Sequence, residues 1–388
     1  MADWSLILNF GASEGWIGGA LYIENLVAAL LRLPRAERPR LEVRFLSRDN
    51  VEVADRIRAM LARETPAARR LLEGLGCRPG LAGRIGRRLC AWTGPRRGVV
   101  FPVFTPGPTP GTPLYWIPDF QHRFLPRFFP EQERAHRDAL HARVADCPGV
   151  LVVSSVFARE HFQRFHPDAR ARVRVWSFCS NIRAVDADPR GFEKLGLPER
   201  FLYLPNQFWA HKDHLTAFKA LGLLRDRGVR APLVCTGYRA DPRNPEYFEE
   251  LRTFLRDHDL EDQVHILGLI PRAAQIEVFR RAVAVLQPSL FEGWSTIVED
   301  ARALGRPVVA SDFPVHREQL HDYDQAFFFR RQDVENLANV LETVYPNGHS
   351  GPDAARERRA RAQTADRQRA AAESLLAIAR EALAAPRQ

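Results

Sequence analysis

Lysine is almost missing from this chain of 388 residues: Lys194, Lys212 and Lys219 are the only three. Arginine carries the rest of the basic side of a net charge of +9. The bias says little about partners by itself. Where a generic positive charge would serve, this chain writes Arg, so a Lys hints that a compact ammonium is wanted at that place. Cysteine is scarce too: Cys77, Cys90, Cys147, Cys179 and Cys235 stand no closer than 13 positions apart. That spacing excludes Cys-x-x-Cys redox and zinc patterns, and the five read as reduced, buried thiols. No apolar run approaches the roughly 18 residues of a membrane span. Met1 to Phe10 lacks the basic start and small-residue cleavage site of a signal peptide, so a cytoplasmic location is expected. There is no Gly-x-Gly-x-x-Gly fingerprint and no repeat at solenoid spacing. The basic patches lack interleaved aromatics, which argues against nucleic acid as a partner.

What is present is an ordinary globular composition, 45% hydrophobic, in a chain long enough for two domains. Short apolar runs alternate with helical patterns. A first series of strand candidates comprises Leu6–Phe10, Leu41–Leu46, Leu114–Ile117, Val150–Val153 and Val173–Trp176. A second comprises Phe201–Leu204, Leu233–Thr236, Val264–Leu267, Val283–Leu286 and Val308–Ala310. This βαβα order predicts α/β architecture with parallel sheets covered on both faces. The series pauses in the polar stretch Arg183–Pro198, which places a domain boundary near Arg183. The Ala-, Arg- and Glu-rich tail Asp353–Leu383 predicts one or two helices.

The stretch Gln287–Gln319 reads QPSLFEGWSTIVEDARALGRPVVASDFPVHREQ. A strand ends in a loop carrying Glu292 and Gly293, and a helix starts near Ser295 or Thr296. The first turn of a helix leaves free N–H groups that bind anions, and Gly293 allows close backbone approach. Two carboxylates, Glu292 and Asp300, at the carboxyl edge of a parallel sheet suit a ligand rich in hydroxyls. The pattern resembles the signature of the retaining glycosyltransferases called family 4, or glycosyl transferases group 1. In it Glu, Gly and an aromatic are followed by a second acid eight positions after the first, and the next helix ends in Gly-x-Pro-Val-Val. Here Glu292, Gly293, Trp294 and Asp300 fill those places, with Gly305, Pro307, Val308 and Val309 in register. The family's second acid is Glu, so Asp300 departs from the pattern, and the adjacent Glu299 is the reserve.

The resemblance implies the GT-B fold, two facing Rossmann-like domains with a donor cleft between them. Residues 1–183 would bind the acceptor, 184–347 the nucleotide sugar, and 348–388 would form a helical segment crossing back to the first domain. It implies that Glu292, Gly293, Trp294, Ser295 and Thr296 hold the donor sugar and Asp300 the ribose. In LPNQFWAHKDH, Asn206 to Lys212 follow the first strand of the second domain. There the family has an Arg and, five residues on, a Lys that clamp the diphosphate; Lys212 keeps the Lys, whereas Gln207 takes the Arg place, as a ligand contact or as a turn residue. His211 or His214 could add charge if protonated. In ASEGWIGGA, Gly18 and Gly19 match the family's glycine-rich first loop. In WIPDFQH, Pro118 replaces the family's His, Asp119 keeps its Asp, and His122 either replaces the missing ring through an Asp-x-x-His turn or is a surface His.

The implied activity is metal-independent transfer of a hexose-type sugar from a nucleoside-diphosphate sugar to a glycan or lipid-linked glycan, in surface polysaccharide synthesis. Glu292, Lys212, His122 and Asp119 would be its catalytic residues. No cofactor is implied, and the Asp-x-Asp pairs at 186–188, 257–259 and 322–324 lack the strand context of a metal site. Segment Arg78–Arg97, basic with Leu81, Ile85 and Leu89 on one face, reads either as a helix lying on an anionic membrane or as the solvated face of an ordinary one. A nucleotide-sugar 2-epimerase of the same fold and a non-catalytic sugar-nucleotide or glycan binder are the rival readings. Uracil, guanine and adenine donors all fit, with Gly268–Arg272 as the place to look for base contacts.

Overall fold

The computed structural model describes residues 4–11, 17–47, 49–63 and 97–384. Segment Arg78–Arg97, apart from Arg97, lies outside them, as do Cys77, Cys90 and residues 12–16 of the glycine-rich loop. Two parallel six-stranded sheets carry the fold. The first contains β1 (Trp4–Phe10), β2 (Arg40–Phe45), β3 (Arg97–Val103), β4 (Thr112–Trp116), β5 (Val150–Val153) and β6 (Arg172–Val175), in the order β2-β1-β3-β4-β5-β6. The second contains β7 (Leu202–Leu204), β8 (Leu233–Thr236), β9 (Val264–Gly268), β10 (Val285–Gln287), β11 (Val308–Ser311) and β12 (Ala326–Phe329), in the order β12-β11-β10-β7-β8-β9. Continuous apolar runs such as β5 are buried at every residue, as sheets covered on both faces require.

The helices of the first unit are α1 (Ile17–Arg32), α2 (Val51–Arg63), α3 (Gln121–Phe124), α4 (Glu131–Ala145) and α5 (Val156–Phe165). Those of the second are α6 (Pro189–Glu193), α7 (His214–Asp226), α8 (Tyr247–Asp257), α9 (Arg272–Arg281), α10 (Thr296–Ala303), α11 (Pro314–Leu320) and α12 (Val334–Asn347), and α13 (Ala354–Ala384) follows. Asp188, just before α6, donates its N–H to Ala273 O at 2.9 Å, so this polar stretch lies on α9.

Two strands, β3 and β12, go beyond the expected set. Pro102 sits inside β3, a central strand, although proline removes a ladder donor. The pairing of β3 with β4 shifts register between Val100 and Val103, which absorbs the missing N–H. Asn9 Nδ2 donates to Pro102 O at 3.1 Å.

The last helix joins the two units. At 31 residues, α13 is about 46 Å long. Its first half stays with the second sheet's helices through Glu357 to Arg280 (2.8 Å) and Arg367 to Glu299 (2.8 Å). Its second half completes the core of the first unit with Ala372, Leu375, Leu376 and Ala379, and Trp176 Nε1 donates to Ala371 O at 2.7 Å. Small Ala side chains let this helix lie close to the sheet and also favour the helical state. Among the described residues, no helix is long and apolar enough to cross a membrane.

Candidate functional site

In the second sheet the chain order reverses between β7 and β10, so the loops leaving their carboxyl ends diverge and open a crevice, where open α/β sheets bind ligands. Both loops are built on buried amides. Asn206 Nδ2, just past β7, donates to Gln287 Oε1 at the end of β10, at 2.7 Å. Gln287 Nε2 then donates to Glu292 Oε1 (2.8 Å) and Ser295 Oγ (2.7 Å). Leu290 N donates to His211 O at 2.8 Å, which ties the loops together again. Gly237, at the end of β8, has φ +143°, and a Cβ there would come 2.3 Å from Asn206 O, so only glycine allows this approach.

Lys212 closes a 3-10 turn, Ala210–Lys212, pinned by Asp241 Oδ2 accepting from Ala210 N at 2.9 Å. Its Nζ donates to Glu292 Oε1 at 2.6 Å, and both side chains are largely buried. Asp213 follows in the left-handed region at φ 53° and turns the chain into α7. Burial pushes its carboxyl up to about 6, and Oδ2 has no partner among the described residues. The side chain of Gln207 is half-buried and makes no hydrogen bond among the described residues.

Ser295 caps α10, its Oγ accepting from Val298 N. Gln319 holds the cap from below: its Nε2 donates to Ser295 O (2.7 Å) and Glu299 Oε1 (3.1 Å), while Ser295 N donates to its Oε1 (3.2 Å). The neighbouring acids part company, although both are fully buried. Glu299 accepts from Arg367 of α13 at 2.8 and 3.0 Å. Asp300 accepts from Ser180 Oγ of the first unit and from Arg272 Nη2, each at 2.6 Å. Asp300 is therefore joined to the stretch Gly268–Arg272, and Glu299 is taken up by the returning helix.

The first unit closes over this crevice. A Cβ at Gly293 would lie 2.5 Å from Pro118 O and 3.2 Å from Asp119 Cβ, so the glycine admits the loop after β4. The Trp294 indole donates to Phe178 O at 3.0 Å and packs against the first unit's core. Glu318 accepts from Val156 N at 2.9 Å and caps α5 across the joint. Gly18 and Gly19 lie in the first turn of α1, which lies against α10. Thr296 opens α10 and is half-buried.

Asp119 accepts from Gln121 N at 2.9 Å and stays beside Gly293. His122 goes elsewhere. It is buried, pairs through Nε2 with Asp138 Oδ1 at 2.9 Å, and makes no hydrogen bond to Lys212 or Glu292. Burial lowers its pKa despite Asp138, and burial takes His141 beside it down to about 3. The structure thus gathers Asn206, Lys212, Glu292, Gly293, Ser295 and Asp119, and sets His122 apart. Sequence reasoning missed Gln287, Gln319, Ser180 and Arg367, whereas Arg272 closes the stretch Gly268–Arg272 singled out for base contacts. Only Gln287 carried a signal, a polar residue closing an apolar strand.

Residues 189–368 match the family described as Glycosyl transferases group 1. No curated relative matches the sequence. Among solved structures, the chain is similar to a glycosyltransferase from Rickettsia africae, with TM-score 0.64 and 12% identity over 100% of both chains. It is also similar to Anabaena HepE in complex with UDP and glucose, with TM-score 0.58 and 16% identity over 97% of each chain. A third is WaaG, a glycosyltransferase involved in lipopolysaccharide biosynthesis, with TM-score 0.54 and 14% identity over 98% of each chain. The fold they share with this chain is GT-B: two Rossmann-like units, a cleft between them and a helix crossing back.

Proposed function

We propose that this chain, whose residues 189–368 match the family described as Glycosyl transferases group 1, is a retaining glycosyltransferase. It moves a hexose-type sugar from a nucleoside-diphosphate sugar to a hydroxyl of a glycan or lipid-linked glycan. The observation that carries this reading is the Lys212–Glu292 pair at the β7/β10 reversal, beside the capped start of α10. An ammonium, free helix amides and a carboxylate meet there: the first two suit a diphosphate, the third a sugar hydroxyl.

The chemistry follows from charge. As the bond from the anomeric carbon to the phosphate oxygen breaks, negative charge grows on the diphosphate. Lys212, the first amides of α10 and the Gly18–Gly19 turn of α1 stabilise it without a metal ion. The acceptor oxygen bonds to the anomeric carbon from the face the diphosphate leaves, so configuration is retained. The acceptor's proton passes to the departing phosphate oxygen, and no protein nucleophile is needed. Gly293 and Trp294 hold the units together and keep water from the donor. Glu292 positions the sugar, and Asp300 meets the ribose by exchanging its Ser180 or Arg272 partner. HepE with UDP and glucose supports a uridine donor, and WaaG, involved in lipopolysaccharide biosynthesis, supports surface polysaccharide synthesis.

The test is a thermal-shift screen against UDP, GDP, ADP and dTDP on the native chain and on Lys212→Ala. One nucleotide should raise Tm in the native chain and not in the variant. No response to any of the four would remove the donor site, and turnover of the donor without an acceptor would identify an epimerase instead.

A further inference from the structure

The first unit holds a second cavity, about 540 Å³, between α3, α4 and α5. Its lining is basic. Arg123, Arg134 and Arg164 face it together with one acid, Asp138, which is already taken up by His122 Nε2 (2.9 Å) and Arg123 Nε (2.7 Å). Among the described residues no carboxylate pairs with Arg134 or Arg164, and Arg134 Nε is buried without a partner. His122 also lines the cavity. It is 1% exposed, and its Nδ1 has no hydrogen-bond partner among the described residues. Buried polar atoms are rarely left unpaired, and unpaired ones point to a ligand or water that completes them.

The cavity also has an address. Phe124, part of its wall, packs at a tilt against Phe291 with ring centroids 5.2 Å apart, and Phe291 directly precedes Glu292. The Phe124 and Phe291 rings thus connect a group seated among the arginines to the loop of the sugar-positioning carboxylate. The cavity is lined by the first unit alone, whereas Lys212 belongs to the second. We propose that this cavity binds an oxyanion carried by the acceptor, a phosphate or a carboxylate, and so sets which hydroxyl meets the donor. The guanidinium fork matches either anion in two-pronged geometry. The proposal rests on the glycosyltransferase reading for the word acceptor; the anion site itself does not.

The experiment is a thermal-shift titration of the full chain with inorganic phosphate and, separately, with glucuronate, at constant ionic strength set by sodium chloride. Saturating UDP is present throughout. Both Arg134→Gln/Arg164→Ala and the single exposed variant Arg164→Ala are compared with the native chain. Phosphate, glucuronate or both should raise Tm in the native chain, with an apparent affinity at least about tenfold weaker in the double variant and weaker by a smaller factor in Arg164→Ala. Lys212→Ala should keep the response in full, which separates this site from the donor site. The stronger anion names the source, a phosphorylated or an acidic-sugar acceptor. An equal response in native and double-variant chains, or one no larger than that to chloride, would overturn the proposal. Loss of the UDP response alone, with the anion response intact, would count against the donor reading and leave the cavity standing.

Discussion

Lys212 Nζ and Glu292 Oε1 stand 2.6 Å apart, so the ammonium expected to meet a diphosphate is paired with the carboxylate expected to meet a sugar. A donor must loosen this pair to use both groups. Lys212→Ala should abolish nucleotide-induced stabilisation, whereas Glu292→Gln should keep it, or strengthen it, and lower sugar transfer by about 100-fold or more. Calorimetry with UDP and a transfer assay read the two arms. Equal loss of nucleotide binding in both variants would sink the division of roles.

Gly293 faces Pro118 O across the joint, with 2.5 Å for any added Cβ. Gly293→Ala should push the units apart while each sheet stays folded. X-ray scattering should show a larger radius of gyration, and transfer should fall. An unchanged radius with full activity would show that the loop after β4 gives way freely.

Glu299 is fully buried and is matched by Arg367 of α13. Arg367→Ala leaves that carboxylate uncompensated and should cost roughly 3 kcal/mol in urea unfolding. Arg367→Met combined with Glu299→Gln should recover most of the loss, because neither change then strands a charge. Additive losses in the double variant would mean that the two residues act separately.

Asp213 gives a pH dependence of definite sign. Its carboxyl titrates near 6 in the folded chain against 3.8 for an unperturbed Asp. Between these values the folded state holds a proton that the unfolded state has lost, so stability falls as pH rises through that window, by up to about 3 kcal/mol. Asn tolerates the left-handed backbone and carries no charge. Asp213→Asn should therefore raise Tm near about pH 7.5, and the gain should vanish below about pH 4. A gain of the same size at both ends would point to a cause other than ionisation.

Most of the framework could be read before any coordinates. Ten of the twelve described strands fall on short runs picked out beforehand, most plainly central ones such as β5 and β7, which are buried at every residue and have nowhere to place polar side chains. β3 hides behind Pro102, whose missing N–H the register shift absorbs, and β12 is a four-residue edge strand with only one buried side chain. Lys212, Glu292 and Ser295 were legible because a strand, a loop and a helix start encode them locally. The partners of Glu299 and Asp300 were not, for Arg367 lies 68 positions from one and Ser180 lies 120 from the other. His122 shows the same limit. An Asp-x-x-His turn could face the cleft, but Asp138, 16 positions later on α4, draws the ring to its own side.

The returning helix also sets an order of events during synthesis. The apolar face of the first sheet is sealed by Leu375, Leu376 and Ala379, about 200 positions after β6. Translation at about 5 to 20 residues per second leaves that face open for on the order of 10 to 40 seconds, while the whole second sheet is being made. The emerging first unit is thus a client for chaperones, and a chain cut short before α13 would leave the first core open and the buried Glu299 without its Arg367 partner.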